Sequence, residues 1–318
     1  MARLVAVVVV GAALTTLVAG AVIWFRLDRQ PMQLEGSSEG GTTFLLIGSD
    51  RRVELPGANR AAFGTADEVP DARADVVVVV RAQDDGSVRM LAIPRDLVVF
   101  RPDRGPARVT LLLEDGADAV AEALCHSVGI GVDHVAVVEY DGIASLVDSA
   151  DGIEVHADEP IRDPMSGLEL DAGSTRLDGL GALAYVRARS IETREGETWV
   201  PDPTRSEQRS ERTFEVLEQL AEQLDASWTS PVSTFRHAWA ATGAVTVGGN
   251  TSPFDLMAMR RAVGTAGSKD MYTFPVVERP APIPVADPGP DAASVVTEFL
   301  GDDEVSTCDT PVLMAPPP

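Results

Sequence analysis

Two aspartates and six arginines stand where a layered α/β protein would place ligand-binding groups. Asp50 and Arg52 follow the apolar run TTFLLIG (42–48), Asp75 opens DVVVVVRA (75–82), and Arg95 closes VRMLAIPRD (88–96). Acids and arginines at the ends of buried strands line the crevice in which open α/β sheets bind ligands. Arg187 and Arg189 are two apart in YVRAR (185–189), so in an extended segment both face one way. Arg205 and Arg209 fall on one face at the start of a helical pattern, beside the positive end of its dipole. Taken singly, each group reads equally well as a polar strand end or a solvated edge. Taken together, the residue types are complementary. Asp50 and Asp75 offer hard oxygen donors to Mg²⁺, which takes one or two carboxylates plus water and substrate phosphate. The guanidinium forks of Arg52, Arg95, Arg187, Arg189, Arg205 and Arg209 match phosphate oxygens. A pyrophosphate bridged by Mg²⁺ and clamped by arginines is the ligand such a set serves.

The elements that must position these residues are legible as hydrophobic patterns. The three runs at 42–48, 75–82 and 88–96 are continuously apolar rather than alternating, which predicts central strands covered on both faces. Asp84-Asp85-Gly86 between the last two reads as a hairpin turn. Residues 114–128 and 141–150 read as helices, and 134–140 and 152–158 as strands. Such alternation, with a hairpin in it, predicts a three-layer α/β/α domain with a central mixed sheet. Thr204 and Glu207 form a capping box for a helix over 204–224, with Phe214, Leu217, Ala221 and Leu224 on its apolar face and Arg212 beside Arg205 and Arg209. A helix at 253–266 and a strand near 271–277 complete a single domain over 42–300, followed by a tail at 301–318 that reads as disordered.

Residues 4–25, LVAVVVVGAALTTLVAGAVIWF, carry no charge. Twenty-two helical residues span about 33 Å, enough for a hydrocarbon core of roughly 30 Å. Trp24-Phe25 and then Arg26 and Arg29 form an interfacial boundary, so residues 1–29 read as a single-pass anchor, joined by a polar linker at 30–41. Flanking charge leaves the orientation of that anchor open. Outside residues 1–29 there are 23 Lys/Arg against 48 Asp/Glu, a net −25, which argues against nucleic acid and against general adhesion to anionic lipid. Cys125 and Cys308 are too few for a disulfide framework or a zinc site. Cys125 is either a buried small hydrophobe or one end of a bridge to Cys308.

Over residues 42–224 the chain resembles the LytR-CpsA-Psr family of bacterial envelope proteins. The likeness rests, in order, on FLLIGSDRR, ARADVVVVV, VRMLAIPRDLVV, GVDHVAVVEYDGIASLVDSADGIEV, LDGLGALAYVRAR and DPTRSEQR, and on the single N-terminal anchor. The resemblance implies an α/β/α extracytoplasmic phosphotransferase. Such an enzyme moves an anionic glycopolymer from a polyprenyl pyrophosphate carrier onto peptidoglycan, with Mg²⁺ at the pyrophosphate. It implies an anchor with its N-terminus inside and the domain outside. It assigns the metal to Asp50 and Asp75 and the phosphate contacts to Arg52, Arg95, Arg187 and Arg189; as chemistry, Asp75 is read as the proton acceptor for an attacking sugar hydroxyl. The chain departs from the family pattern at Arg108-Val109-Thr110 (often Lys-Ile-Asn), at Gln208-Arg209 (an Arg-Gln order), at His156 and Ser174 (often cysteines) and at Ala150-Asp151-Gly152 (an aliphatic-Gly-Gly turn). The altered 208–209 motif keeps a second reading open, a non-catalytic relative that binds polyprenyl phosphates and modulates wall assembly.

Overall fold

The three apolar runs form the middle of a seven-stranded mixed sheet. In the computed structural model, which describes residues 20–34, 40–49, 72–102, 104–207, 209–226, 230–266, 270–279, 285–301 and 308, they are the strands Gly41–Ser49, Ala74–Gln83 and Val88–Ile93. The order across the sheet is Asp28–Gln30, Val245–Gly248, His134–Glu139, Gly41–Ser49, Ala74–Gln83, Val88–Ile93 and Met271–Thr273. Gly41–Ser49 runs parallel to His134–Glu139 and antiparallel to Ala74–Gln83, which pairs antiparallel with Val88–Ile93. The last pairing is closed by the expected turn, where Gly86 takes φ +86° and donates its N–H to the Gln83 carbonyl. Only glycine adopts that backbone without steric cost.

The described residues group into two compact units. In the unit made of 29–141 and 246–318, alternate residues of the central strands face opposite layers, as the two-residue period requires. Leu45, Ile47, Val77, Val79, Leu91 and Ile93 pack with the helices Ala117–Val128 and Ala292–Leu300. Phe44, Val78 and Val80 pack with Ala262 of the helix Pro253–Thr265. Helices therefore cover both faces, which is why these strands carry no polar alternation. Cys125, on Ala117–Val128, is bonded to Cys308, with Cα atoms 5.4 Å apart, so the bridge is formed.

The other unit, 1–28 and 142–245, is built from small antiparallel pairings and helices. Ile153–Ala157 pairs with Gly173–Leu177, and a four-stranded sheet runs Leu168–Leu170, Ile161–Asp163, Glu192–Glu195, Thr198–Pro201. His156 and Ser174 are register partners in the first pair, so the two positions face each other. The helices are Gly179–Arg187, Pro203–Glu207, Arg209–Ala226 and Pro231–Ala244. The expected 204–224 helix matches Pro203–Glu207 and Arg209–Ala226, with residue 208 outside the described residues. Its cap is not Thr204: the Asp202 carboxylate accepts the Arg205 N–H at 3.1 Å, with Pro203 in the first helical position.

Residues 20–26 are helical, and among the described residues no helix is long and apolar enough to cross a membrane. Most of the expected anchor, residues 1–19, lies outside the described residues, as do most of the expected tail, Asp50 and Arg52.

Candidate active site

The expected residues fall into two sets, one in each unit. In the first, Asp75 owes its position to a break in the ladder. Gly48 pairs with Val76 and Ser49 with Ala74, so Asp75 is the extra residue of a β-bulge. A bulge leaves one residue without a cross-strand partner and re-aims its side chain, a device common at the rims of sites. Because the hairpin partner is antiparallel, the far end of Val88–Ile93 returns to the same end of the sheet. There Arg95 Nη1 donates to Asp75 Oδ1 at 2.6 Å. The side chain of Asp75 is 6% exposed and that of Arg95 31%, so the carboxylate lies beneath a guanidinium that reaches solvent.

Arg95 is held from behind. Its carbonyl accepts the Thr110 N–H at 2.9 Å, and the Leu97 carbonyl accepts that of Val109. Arg108 reaches Asp96 at 3.1 Å, while Arg95 Nε stands 3.5 Å from the other oxygen of Asp96. The sheet end holds a further acid. Glu139, the last residue of His134–Glu139, is the register partner of Ser49. It went unassigned in the sequence although it ends an apolar strand like the others, and that position was its signal.

The second set corrects the expectation for YVRAR. These residues are not extended: Arg187 is the last residue of the helix Gly179–Arg187, and Ala188 (φ −56°, ψ 123°) turns the chain out of it. Arg187 is half-buried and Arg189 exposed. Two buried charges brace this turn. Arg212, 6% exposed, donates Nε to the Tyr185 carbonyl at 3.1 Å, Nη2 to that of Ala188 at 2.5 Å and Nη1 to that of Arg205 at 2.5 Å. A guanidinium there satisfies carbonyls that a helix end leaves without partners. Asp163, fully buried, accepts from Arg189 N (2.7 Å) and Ser190 N (2.9 Å) through Oδ2, and from Met165 N (2.7 Å) and Ser166 N (3.3 Å) through Oδ1. Burial alone would raise its pKa, but the donors from Ser190, Arg189, Met165 and Ser166 outweigh it and hold the carboxyl below its ordinary value. The Tyr185 hydroxyl donates to Glu215 at 2.8 Å, and burial, then Glu215, pushes its pKa well up.

Arg212 therefore does not share with Arg205 the ligand face that the sequence suggested. It shares a buried stripe with Val216 and Leu220, four residues apart along Arg209–Ala226. Arg205 is engaged as well: its guanidinium contacts Glu159 at 3.0 Å and Asp202 at 3.2 Å. The side chains of Arg209, Phe214, Leu217, Ala221 and Leu224 lie outside the described residues.

As a donor for Mg²⁺, Asp75 offers the right chemistry, a buried carboxylate beside a cation. No group of three or more His, Cys, Asp or Glu suited to a metal occurs among the described residues. Asp75 fits, and its expected companion Asp50 lies outside the described residues.

The geometry is that of an α/β protein with a bulged carboxylate and arginine at one sheet end, and a braced pair of arginines at a helix end. The LytR_cpsA_psr family model matches residues 25–273, and the chain belongs to that family. It is 32% identical over 169 residues to a probable cell wall biosynthesis protein, LcpB, of Corynebacterium glutamicum, covering 52% of this chain and 40% of the relative. It is 29% identical over 157 residues to the polyisoprenyl-teichoic acid–peptidoglycan teichoic acid transferase TagT of Bacillus subtilis, covering 47% of this chain and 46% of the relative. The chain thus matches less than half the length of these curated relatives. Among solved structures, a LytR-Csp2A-Psr enzyme from Actinomyces oris superposes with a TM-score of 0.69 at 26% identity, covering 89% of this chain and 99% of the other. YwtF (TagT) with bound octaprenyl pyrophosphate lipid superposes at 0.54 and 20% identity, covering 83% of this chain and 90% of the other, which bears on fold alone.

Proposed function

We propose that the chain is an extracytoplasmic phosphotransferase that moves an anionic glycopolymer from a polyprenyl pyrophosphate carrier onto peptidoglycan. The observation that carries this reading is the bulge at Asp75, which joins a buried carboxylate to a solvent-reaching arginine at one end of the central sheet. A hydroxyl of the acceptor sugar attacks the phosphorus bonded to the glycopolymer, the bond from that phosphorus to the bridging oxygen breaks, and polyprenyl phosphate departs. Asp75 takes the proton of the incoming hydroxyl. Arg52, Arg95, Arg187 and Arg189 hold phosphate oxygens and stabilise the departing charge. Mg²⁺, held by Asp50 and Asp75, would neutralise charge on the pyrophosphate. The Cys125–Cys308 bridge supports a domain on the oxidising side of a membrane, reached through an anchor at 4–25.

A second reading, lipid binding without turnover, is favoured by one observation: Arg205 and Arg212 are already engaged by carboxylates and carbonyls. The detergent-solubilised chain, given a polyprenyl pyrophosphate-linked sugar and a peptidoglycan acceptor, separates the two. Mg²⁺-dependent release of polyprenyl phosphate that disappears in Asp75→Ala and Arg187→Ala is the expected result. Retention of the lipid with no release, under conditions in which TagT works, assigns the chain to the second class.

A further inference from the structure

The helix Pro231–Ala244 contrasts with the rest of a strongly acidic chain. It contains no Asp or Glu, whereas Arg209–Ala226 before it contains five. One side of it is fixed: His237 is buried and lies 2.9 Å from the Ser149 hydroxyl, and Ala244 is buried where Gly142 permits close approach. A Cβ at Gly142 would come within 2.6 Å of Ala244. At 100° per residue, Phe235, Arg236, Trp239 and Gly243 fall on the opposite side, and all four are exposed. The rings of Phe235 and Trp239 are 5.8 Å apart. Arg26 lies over the Trp239 ring at 4.1 Å, so the helical turn that ends the apolar run 4–25 packs on this face. Phe25, 78% exposed, and Val22 extend it.

We infer that this face docks on the lipid bilayer, with Phe235, Trp239 and Phe25 at headgroup depth and Arg26 beside them, as a second contact that orients the unit it belongs to. This rests on reading residues 4–25 as an anchor. An exposed aromatic pair with an arginine, continuous with the end of an apolar run, has the composition of a membrane–water boundary, where amphipathic rings settle. The helix has no acid of its own and the neighbouring Asp151 is paired with Arg236, which lowers the repulsion that the rest of the surface has for anionic headgroups. Arg236 is paired with Asp151 at 2.9 Å, so docking draws on the aromatic rings and occurs on zwitterionic lipid as well. The test uses the full chain reconstituted in phosphatidylcholine vesicles whose acyl chains carry bromine, a contact quencher of tryptophan. Trp239→Phe and Trp24→Phe are each expected to remove a distinct part of the quenched emission. Unchanged quenching in Trp239→Phe overturns the docking face. If Trp24→Phe alone leaves quenching unchanged, the anchor reading fails and the docking face stands.

Discussion

The strand-end set and the helix-end set both present arginines, yet they use them in opposite ways. At the strand end, Arg95 pairs with a carboxylate and keeps about a third of its side chain in solvent. At the helix end, Arg212 is spent on three backbone carbonyls and is nearly inaccessible. An arginine bound to carbonyls has its charge fully used in holding the chain, since five N–H donors in a rigid fork match a helix terminus well. One bound to carboxylates at a sheet rim, as Arg95 is by Asp75 and Asp96, stays partly exposed where a ligand can reach it. Under the proposed function, the partner, rather than the residue type, separates ligand-handling arginines from those that build the frame for Arg187 and Arg189.

The largest expected effect comes from breaking the strand-end set. Asp75→Asn removes the charge that Arg95 pairs with and the proton acceptor, and should lower release of polyprenyl phosphate about 10²–10³-fold. The unfolding midpoint should move little, because Arg95 reaches solvent and keeps Asp96 beside it when the Asp75 charge is removed. A large loss of stability with activity retained in the folded fraction would make Asp75 a frame residue and erase the distinction.

Arg212→Met tests the opposite case. It leaves the carbonyls of Tyr185, Ala188 and Arg205 without this donor, at about 1–3 kcal/mol for each that stays buried and unpaired. Urea unfolding should show a loss of about 3 kcal/mol, with Arg212→Lys only partly restoring it because an ammonium lacks the planar fork. If the variant keeps wild-type stability and loses only lipid binding, Arg212 belongs with the ligand arginines.

Asp163→Asn sharpens the same set from its other side. An amide offers one acceptor oxygen in place of two, so one pair of N–H donors meets an NH₂ group, for a loss of about 2 kcal/mol. The pH dependence has a definite sign. The folded pKa of Asp163 is depressed, so its contribution is fully present above the unfolded value of about 3.9 and is lost as pH falls through the lower folded value. Unfolding free energies measured between pH 2 and 6 should show that decline below about pH 4 in the wild type and a shallower one in Asp163→Asn.

These variants also mark where the sequence was readable. The sheet, its hairpin and the place of Asp75 and Arg95 followed from continuous apolar runs, because burial on both faces leaves an unambiguous pattern. The bulge did not, since one extra residue in a run of valines has no compositional trace. The helix end was misread for a physical reason too. YVRAR is equally compatible with a strand, and what makes it a helix terminus is a guanidinium 27 residues beyond Tyr185. Asp163 gave no signal, because an acid at a strand end looks the same whether it faces water or four N–H groups. The departure at Asp151 is explained by its backbone. It adopts φ +63°, where glycine costs nothing and aspartate is tolerated, and its carboxylate meets Arg236.

Arg205 is the residue on which the comparison turns, and it carries the smallest expected effect. It stands within the family's helix motif, yet its guanidinium lies against Asp202 and Glu159. Both contacts are partly exposed, so Arg205→Gln should cost under about 1 kcal/mol of stability. The backbone carbonyl that Arg205 lends to Arg212 survives the substitution, so the frame around Arg187 is unchanged. If partners decide roles, the rate of polyprenyl phosphate release should fall only a few-fold, far less than in Arg187→Ala. A fall as large as that in Arg187→Ala means that Arg205 leaves its two carboxylates for the pyrophosphate when substrate arrives. In that event a carboxylate-bound arginine is a ligand in waiting, and only carbonyl-bound ones such as Arg212 are confined to the frame.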